Sequence, residues 1–346
     1  KGGNSVFLLM SFFGGGKTHT MVALYHAFRD PNRLPERLKA KVAAAGRPLI
    51  IVLDGNRREY LPTPSQPHVE GGFTIKTAWG MLAYRLGAYA LVRDLDSENG
   101  ECPDVSRLEE ALRQARQPVL ILLDEAVIHL HNLTHTPGLR DYAERFKVFL
   151  DRLARAVSNS RRTVLVVAVQ AERRLSEAGQ EELLTEEAYS ESARDVFRIL
   201  SRLASRSITP VPPGDVVKVL QKQIFKAIPE DEASNAKDRL YHTYREHREI
   251  FGAESDWELR LAAYSATPKE TYPFHPKYVE VLFEFITRNK ALQKTRDAVK
   301  ITRKVVRRIL HGALGDPDFI MPWHIGLDSP ELLNMIMSGR FEEFRS

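Results

Sequence analysis

Cysteine occurs once in these 346 residues, at Cys102. A single thiol excludes an internal disulfide framework and fits a reducing compartment such as the cytosol. No apolar run approaches the roughly 18 residues that a membrane helix needs, and no signal-peptide pattern is present. The expectation is therefore a cytoplasmic chain with no membrane partner. Charge of one sign is not in large excess either: 50 Lys and Arg stand against 45 Asp and Glu, for a net +5, with arginine the commoner cation. That excess permits nucleic-acid contact without requiring it. Apolar residues make up 43% of the chain, ample for packed cores. The length predicts a domain of roughly 200 residues and a second of roughly 100–150. Lys1-Gly2-Gly3 stands only a few residues ahead of the first apolar run, so the chain reads as a fragment or ordered core of something longer.

Glycine is sparse too, yet Gly14, Gly15 and Gly16 are consecutive. They follow the apolar run Val6 to Met10 and precede Lys17-Thr18 and a helical pattern. Strand, glycine loop and helix N-terminus come in the order that a P-loop requires. The glycines let backbone N–H groups close on a phosphate, and the following helix points its positive end at the same anion. Lys17 is placed to reach the β- and γ-phosphates, and the Thr18 hydroxyl to take one Mg²⁺ position. Ser11 stands where the G-x-x-x-x-G-K-[ST] pattern has its first glycine. Serine is small, so the variant reads as functional; the alternative is a glycine-rich turn carrying an incidental lysine.

A phosphate loop of this kind works with a second strand that ends in an acid. Val119 to Leu123, followed by Asp124-Glu125, supplies one. The run reads as a strand buried on both faces of a parallel sheet, with Asp124 at its carboxyl end, where ligands bind in open α/β folds. Asp124 suits magnesium binding and Glu125 the role of general base for water. Leu49 to Leu53, ending in Asp54-Gly55-Asn56, and Val164 to Val169, ending in Gln170, complete the sheet. Gln170 stands where a polar residue can contact the γ-phosphate or orient water, although polar residues at strand ends are common. Tyr142, Phe146, Phe149, Leu150, Leu153 and Val157 mark a helix between the last two strands.

Strand runs are expected to stop after Gln170. Ile208-Thr209-Pro210-Val211-Pro212-Pro213 cannot continue a helix and marks a boundary. The predicted organisation is a nucleotide-binding α/β domain over residues 1–210, a helical domain over 211–320, and a further segment or tail over 321–346. A P-loop NTPase sheet sandwiched by helices and followed by an all-helical lid resembles the layout of AAA+ ATPases.

A more specific resemblance covers nearly the whole chain. The sequence resembles the prokaryotic AAA+ ATPases catalogued as domain of unknown function 499. Their Gly-Gly-Gly-Lys-Thr-His-Thr loop is matched by Gly14 to Thr20, which adds His19 to the phosphate-binding set, and their Leu-Tyr-His helix by Leu24-Tyr25-His26. Their Leu-Asp-Glu strand end is matched by Leu123 to Glu125. Their Tyr-Pro-Phe-His-Pro segment and Thr-Arg helix are matched by Tyr272 to Pro276 and by Thr295-Arg296. The chain departs from the pattern after the Val164 run, where Gln170-Ala171 replaces Leu-Pro. The resemblance implies genome-defence context, with DNA or a DNA-modifying protein as partner.

The AAA+ layout also implies a homo-oligomer and two arginines. Arg296 is the candidate that reaches the γ-phosphate from the lid. Arg198, Arg202 and Arg206 fall at helical spacing as candidates for a finger acting on a neighbouring subunit, and Arg202 is chosen on position. Arg296, Lys300, Arg303 and Arg307 share a helix face, which reads as a solvated basic face, a nucleic-acid track or a partner contact. His129, His131 and His135 have metal-like spacing without a nearby cysteine, so packing is the plainer reading and zinc the alternative. The expected activity is Mg²⁺-dependent ATP hydrolysis coupled to a conformational or assembly change. A nucleotide-gated switch or scaffold with little hydrolysis, and a DNA translocase, are the alternatives.

Overall fold

In a computed structural model the described residues are 5–11, 16–175, 181–185, 187–210, 215–247, 249, 271–288, 294–326 and 328–336. They fall into two compact units that divide after Pro210.

Among its described residues the first unit has nine strands: β1 (Val6–Met10), β2 (Leu49–Asp54), β3 (His68–Glu70), β4 (Phe73–Ile75), β5 (Val119–Asp124), β6 (Thr163–Val169), β7 (Ala171–Leu175), β8 (Glu181–Thr185) and β9 (Arg206–Ile208). Five of them form one sheet in the order β2-β5-β6-β1-β9, and every neighbouring pair in it is parallel. The strands β3 and β4, and β7 and β8, form two antiparallel pairs beside it. All six residues of β5 are buried, as a central parallel strand covered on both faces requires.

Alternate strand residues face two different helical layers. Leu9, Leu120, Leu122, Val166 and Ala168 meet Met21, Leu24, Tyr25 and Phe28 of α1 (Lys17–Arg29). The helix α2 (Glu36–Ala44) has no fully buried residue. On the opposite face Leu8, Met10, Ile121, Leu123, Leu165 and Val167 join one large core with α3 (Ala78–Arg85), α4 (Val105–Gln114), α5 (Ala126–His135), α6 (Arg140–Asn159) and α7 (Ser190–Ser201). The helix α6 buries Tyr142, Phe146, Phe149, Leu150, Leu153 and Val157 at helical spacing. Each such side chain contributes about 1.5–3 kcal/mol of burial free energy.

Strands do not stop after Gln170, as the sequence pattern led one to expect. The hairpin β7–β8 follows at once, and β9 completes the sheet by pairing Phe7 with Arg206, Leu8 with Ser207 and Leu9 with Ile208. The reason is local: β9 reads Arg-Ser-Ile, all exposed, and has no apolar periodicity to announce it. Arg206 is therefore a strand residue and does not continue the helical row of Arg198 and Arg202.

The second unit packs α8 (Val216–Ile224), α9 (Glu230–Glu246), α10 (Pro276–Arg288), α11 (Lys294–Leu310) and α12 (Pro330–Ile336). Its core gathers Leu220, Phe274, Tyr278, Leu282, Ile286, Ala298, Ile301 and Val305. Within it the Tyr278 hydroxyl donates to Thr302 Oγ1 at 3.0 Å. Ile325 and Leu332 belong to the same core, so the segment expected to begin a separate tail at residue 321 packs, through residue 336, as part of this unit. Apart from a single bridge between Phe274 and Ile320, the described residues of this unit form no sheet. Among the described residues no helix is long and apolar enough to cross a membrane.

Candidate functional site

The parallel order brings the carboxyl ends of β1, β6, β5 and β2 to one edge of the sheet. Those ends carry Ser11, Gln170, Asp124-Glu125 and Asp54-Gly55 in turn. The strand β6 lies between β1 and β5, so Gln170 stands between the lysine loop and the acidic pair. Gly14 and Gly15 lie outside the described residues. Gly16 has φ 84° and ψ 7° at the N-cap of α1, a left-handed conformation that glycine adopts without steric cost. Lys17 follows at the first helical position, and only 5% of it is exposed. Its ammonium donates to the Ser11 carbonyl at 2.8 Å and lies 3.4 Å from the Ser11 hydroxyl. The serine at the unusual motif position thus gives the buried cation two oxygen partners, which offset its desolvation.

Thr18, at the start of α1, acts on the Asp124 carboxylate of the acidic strand and favours its charged form. Burial raises the Asp124 pKa, aided by the charge of Asp54, while Thr18, the Glu125 amide and Lys17 oppose the rise. The neighbouring Glu125 is pushed up to about 7, first by burial and then by the charge of Asp124. Near neutral pH it is therefore poised between acid and base forms, the range in which a carboxyl group exchanges protons most effectively. Gln170 Nε2 donates to Glu125 Oε2 at 2.6 Å. Gln170 is fully buried, and its Oε1 has no hydrogen-bond partner among the described residues.

Glu125 adopts φ 54° and ψ 30° where β5 turns into α5. A left-handed non-glycine residue costs about 1 kcal/mol or more and persists only where the surroundings hold it. Gly55 supplies part of that hold. A Cβ on Gly55 would lie 2.5 Å from the Glu125 carbonyl oxygen and 2.7 Å from His129 Cβ, so only glycine lets β2 end this close to the acidic turn. His129 Nδ1 then donates to the Gly55 carbonyl at 3.3 Å, and the Gly55 amide donates to the Asp124 carbonyl at 3.1 Å. Burial lowers the His129 pKa to about 4, which keeps the ring neutral. Asp54 and Gly55 are the members of this group whose part sequence pattern did not reveal. Their signal is a carboxylate and a glycine directly after an apolar run.

His19 is exposed on α1. The His131 and His135 rings lie 4.1 Å apart between centroids, tilted by 33°, whereas His129 packs on Phe146 at 4.9 Å. The three histidines do not converge, and no group of three or more metal-ligating side chains was found among the described residues. Arg198 pairs with Asp195 at 2.7 Å. Arg202 is exposed at the C-cap of α7. Arg296 is exposed on α11 in the second unit. Of the basic face on that helix, Lys300 bonds Asp297 at 2.9 Å and Arg303 bonds the Gln223 carbonyl at 3.1 Å.

Comparison with protein families matches residues 1–208 to the DUF499 N-terminal domain and residues 212–346 to the DUF499 second domain. The chain belongs to this family of unknown function. None of the curated proteins compared with it matches.

Proposed function

We propose that this DUF499 member is an ATP-binding and ATP-hydrolysing protein of P-loop, AAA+ type. The observation that carries the reading is the meeting of Lys17, Thr18, Asp124, Glu125 and Gln170 at the carboxyl edge of three adjacent strands. A buried cation at a helix N-terminus is chemistry for a phosphate. A donor one strand away and two acids on the strand beyond it are chemistry for a metal and a water.

In this reading Lys17 exchanges the Ser11 carbonyl for phosphate oxygens, with the Gly16 turn and the N-terminus of α1 facing the same anion. Thr18 and Asp124 offer a hydroxyl and a carboxylate, hard oxygen donors of the kind Mg²⁺ takes. When bound, Mg²⁺ supplies neutralisation of charge developing on the phosphate oxygens. Glu125 removes the proton of the attacking water, and Gln170 holds the Glu125 carboxylate in position. The remaining catalysis is positioning and exclusion of solvent. Turnover then drives a conformational or assembly change, in which Arg202 and Arg296 are the candidate contacts to the γ-phosphate from a neighbouring copy and from the second unit.

One observation favours a second reading, a nucleotide-gated switch with little hydrolysis. Lys17 and Glu125 each already hold an internal partner, so binding alone could trade those bonds and signal. Two substitutions test both readings. Lys17→Ala removes the phosphate-binding charge, and a calorimetric titration of the folded variant should show ATP binding lost. Unchanged affinity would overturn the P-loop reading. A parent protein that binds ATP yet shows no turnover, where Glu125→Gln changes nothing, would favour the switch.

A further inference from the structure

The opposite edge of the same sheet carries a different chemistry. The loops that lead into three adjacent parallel strands each bring arginine to one end. Arg47 precedes β2, Arg116 precedes β5, and Arg161-Arg162 precede β6. The Leu49 amide donates to the Pro118 carbonyl at 2.8 Å and the Val119 amide to the Arg162 carbonyl at 2.8 Å, so backbone bonds hold the three loops in register. At the ordinary strand spacing the row spans about 10 Å. All four side chains are exposed, and among the described residues none of them pairs with a carboxylate. The nearby acids are already engaged: Glu110 bonds Arg113 at 2.8 Å, and Glu109 accepts from Asn159 at 2.7 Å. A cavity of about 300 Å³ opens among Arg113, Arg116, Arg161, Arg162 and Asn159, with the Glu109 carboxylate also on its wall.

Arg116 adds an independent observation. It follows the C-cap of α4 with φ 53°, the position and conformation where glycine is the favoured residue. Local stability would favour glycine there, and the residue present adds a cation to the cavity instead.

We propose that this amino-terminal edge of the sheet binds the phosphate backbone of a nucleic acid. The guanidinium fork matches phosphate oxygens in a bidentate way. Phosphates rise about 3.4 Å along the axis per nucleotide on each strand, so the row covers about three of them. An acidic protein surface fits less well. Stable protein interfaces centre on buried apolar anchors, whereas the residues around this cavity are four arginines, two amides and two hydroxyl residues, with Leu112 the one apolar side chain and Glu109 the one carboxylate. The edge lies at the far end of the strands from Lys17 and Glu125, so the proposal does not rest on the reading of that site.

The test is fluorescence anisotropy with a labelled short duplex and its single strand, titrated with salt from roughly 50 mM upward. The parent should bind at least one of the two, with affinity falling steeply as salt rises. The comparison variant combines Arg116→Gly, Arg161→Ala and Arg162→Ala. It should bind at least about tenfold more weakly, with the log–log salt slope reduced by about 2–3, since each phosphate contact contributes about 0.7–0.9. Arg116→Gly alone should weaken binding without lowering the melting temperature, which separates recognition from folding. No binding by the parent, an unchanged slope in the triple variant, or equal affinity for polyglutamate would overturn the proposal. So would loss of binding in Arg303→Ala/Arg307→Ala with the triple variant unaffected.

Discussion

Gln170 and Glu125, 45 residues apart in the chain, meet through a 2.6 Å hydrogen bond at the ends of two adjacent strands. The amide donor stabilises the charged form of the carboxyl group, while burial and the Asp124 charge oppose ionisation. The balance lies near neutrality and rests on a residue that has no exposed surface.

Glu125→Gln keeps the shape of the side chain and removes its proton-accepting oxygen. ATP should still bind, while turnover falls by roughly 10²-fold or more. Steady-state hydrolysis alongside a binding titration measures both. Equal turnover in variant and parent would make Glu125 a structural residue.

The same residue predicts a dependence of stability on pH. A Glu125 pKa raised from 4.5 to about 7 means that the folded state holds the proton longer than the unfolded state. Its contribution to stability is therefore favourable at low pH and is lost as pH rises from about 4.5 through 7. The full shift corresponds to at most about 3 kcal/mol. His129, lowered from 6.5 to about 4, has the opposite sign: its neutral burial costs nothing above 6.5 and destabilises the fold as pH falls towards 4. Over the shared window the two slopes oppose each other. Denaturant unfolding of Glu125→Gln should show a gain over the parent that grows from near zero at pH 4.5 towards its limit at pH 8. In His129→Phe the difference from the parent should instead shrink as pH rises. A difference constant across pH in either variant would contradict the assigned shifts.

Gly55→Ala should cost about 1–3 kcal/mol, because the new methyl overlaps the Glu125 carbonyl and His129 Cβ and the acidic turn must move. Lys17 sits three strands away, so ATP affinity should survive while turnover drops. Loss of binding together with turnover would mean that β2 supports the whole site rather than its acidic half.

The assembly half of the functional proposal rests on Arg202. If it serves a neighbouring copy, turnover per subunit should rise with protein concentration, and Arg202→Ala should abolish that rise while binding ATP normally. Mixing Lys17→Ala with Arg202→Ala protein should restore part of the activity, because one mixed interface pairs an intact site with an intact arginine. A trans-acting arginine can supply as much as roughly 10³-fold or more in rate, well beyond an exposed ion pair. No recovery on mixing would remove Arg202 from that role.

The main strands β1, β2, β5 and β6 were legible because each is an apolar run that ends in a polar group. The helices α1 and α6 were legible from their apolar spacing. The strand β9 was not, since three exposed residues at a sheet edge take their conformation from the partner strand and not from their own composition. At the site, Lys17, Thr18, Asp124, Glu125 and Gln170 could be named from spacing alone. What spacing could not give was who holds whom. The bond from Gln170 to Glu125 and the need for glycine at position 55 arise between segments far apart in sequence, and the grip of Ser11 on Lys17 depends on how the loop between them folds. The family match adds that both parts of the chain belong to DUF499.

The place of β6 between β1 and β5 makes it a spacer bar. The separation between the lysine strand and the acidic strand is two ladder steps, about 9–10 Å, and backbone hydrogen bonds set it rather than side chains. Side-chain substitutions can retune the groups at either end, but they cannot widen or narrow that gap without breaking the ladder on both sides of β6. Any molecule that engages Lys17 and Glu125 together must therefore fit a span gauged by the peptide backbone itself.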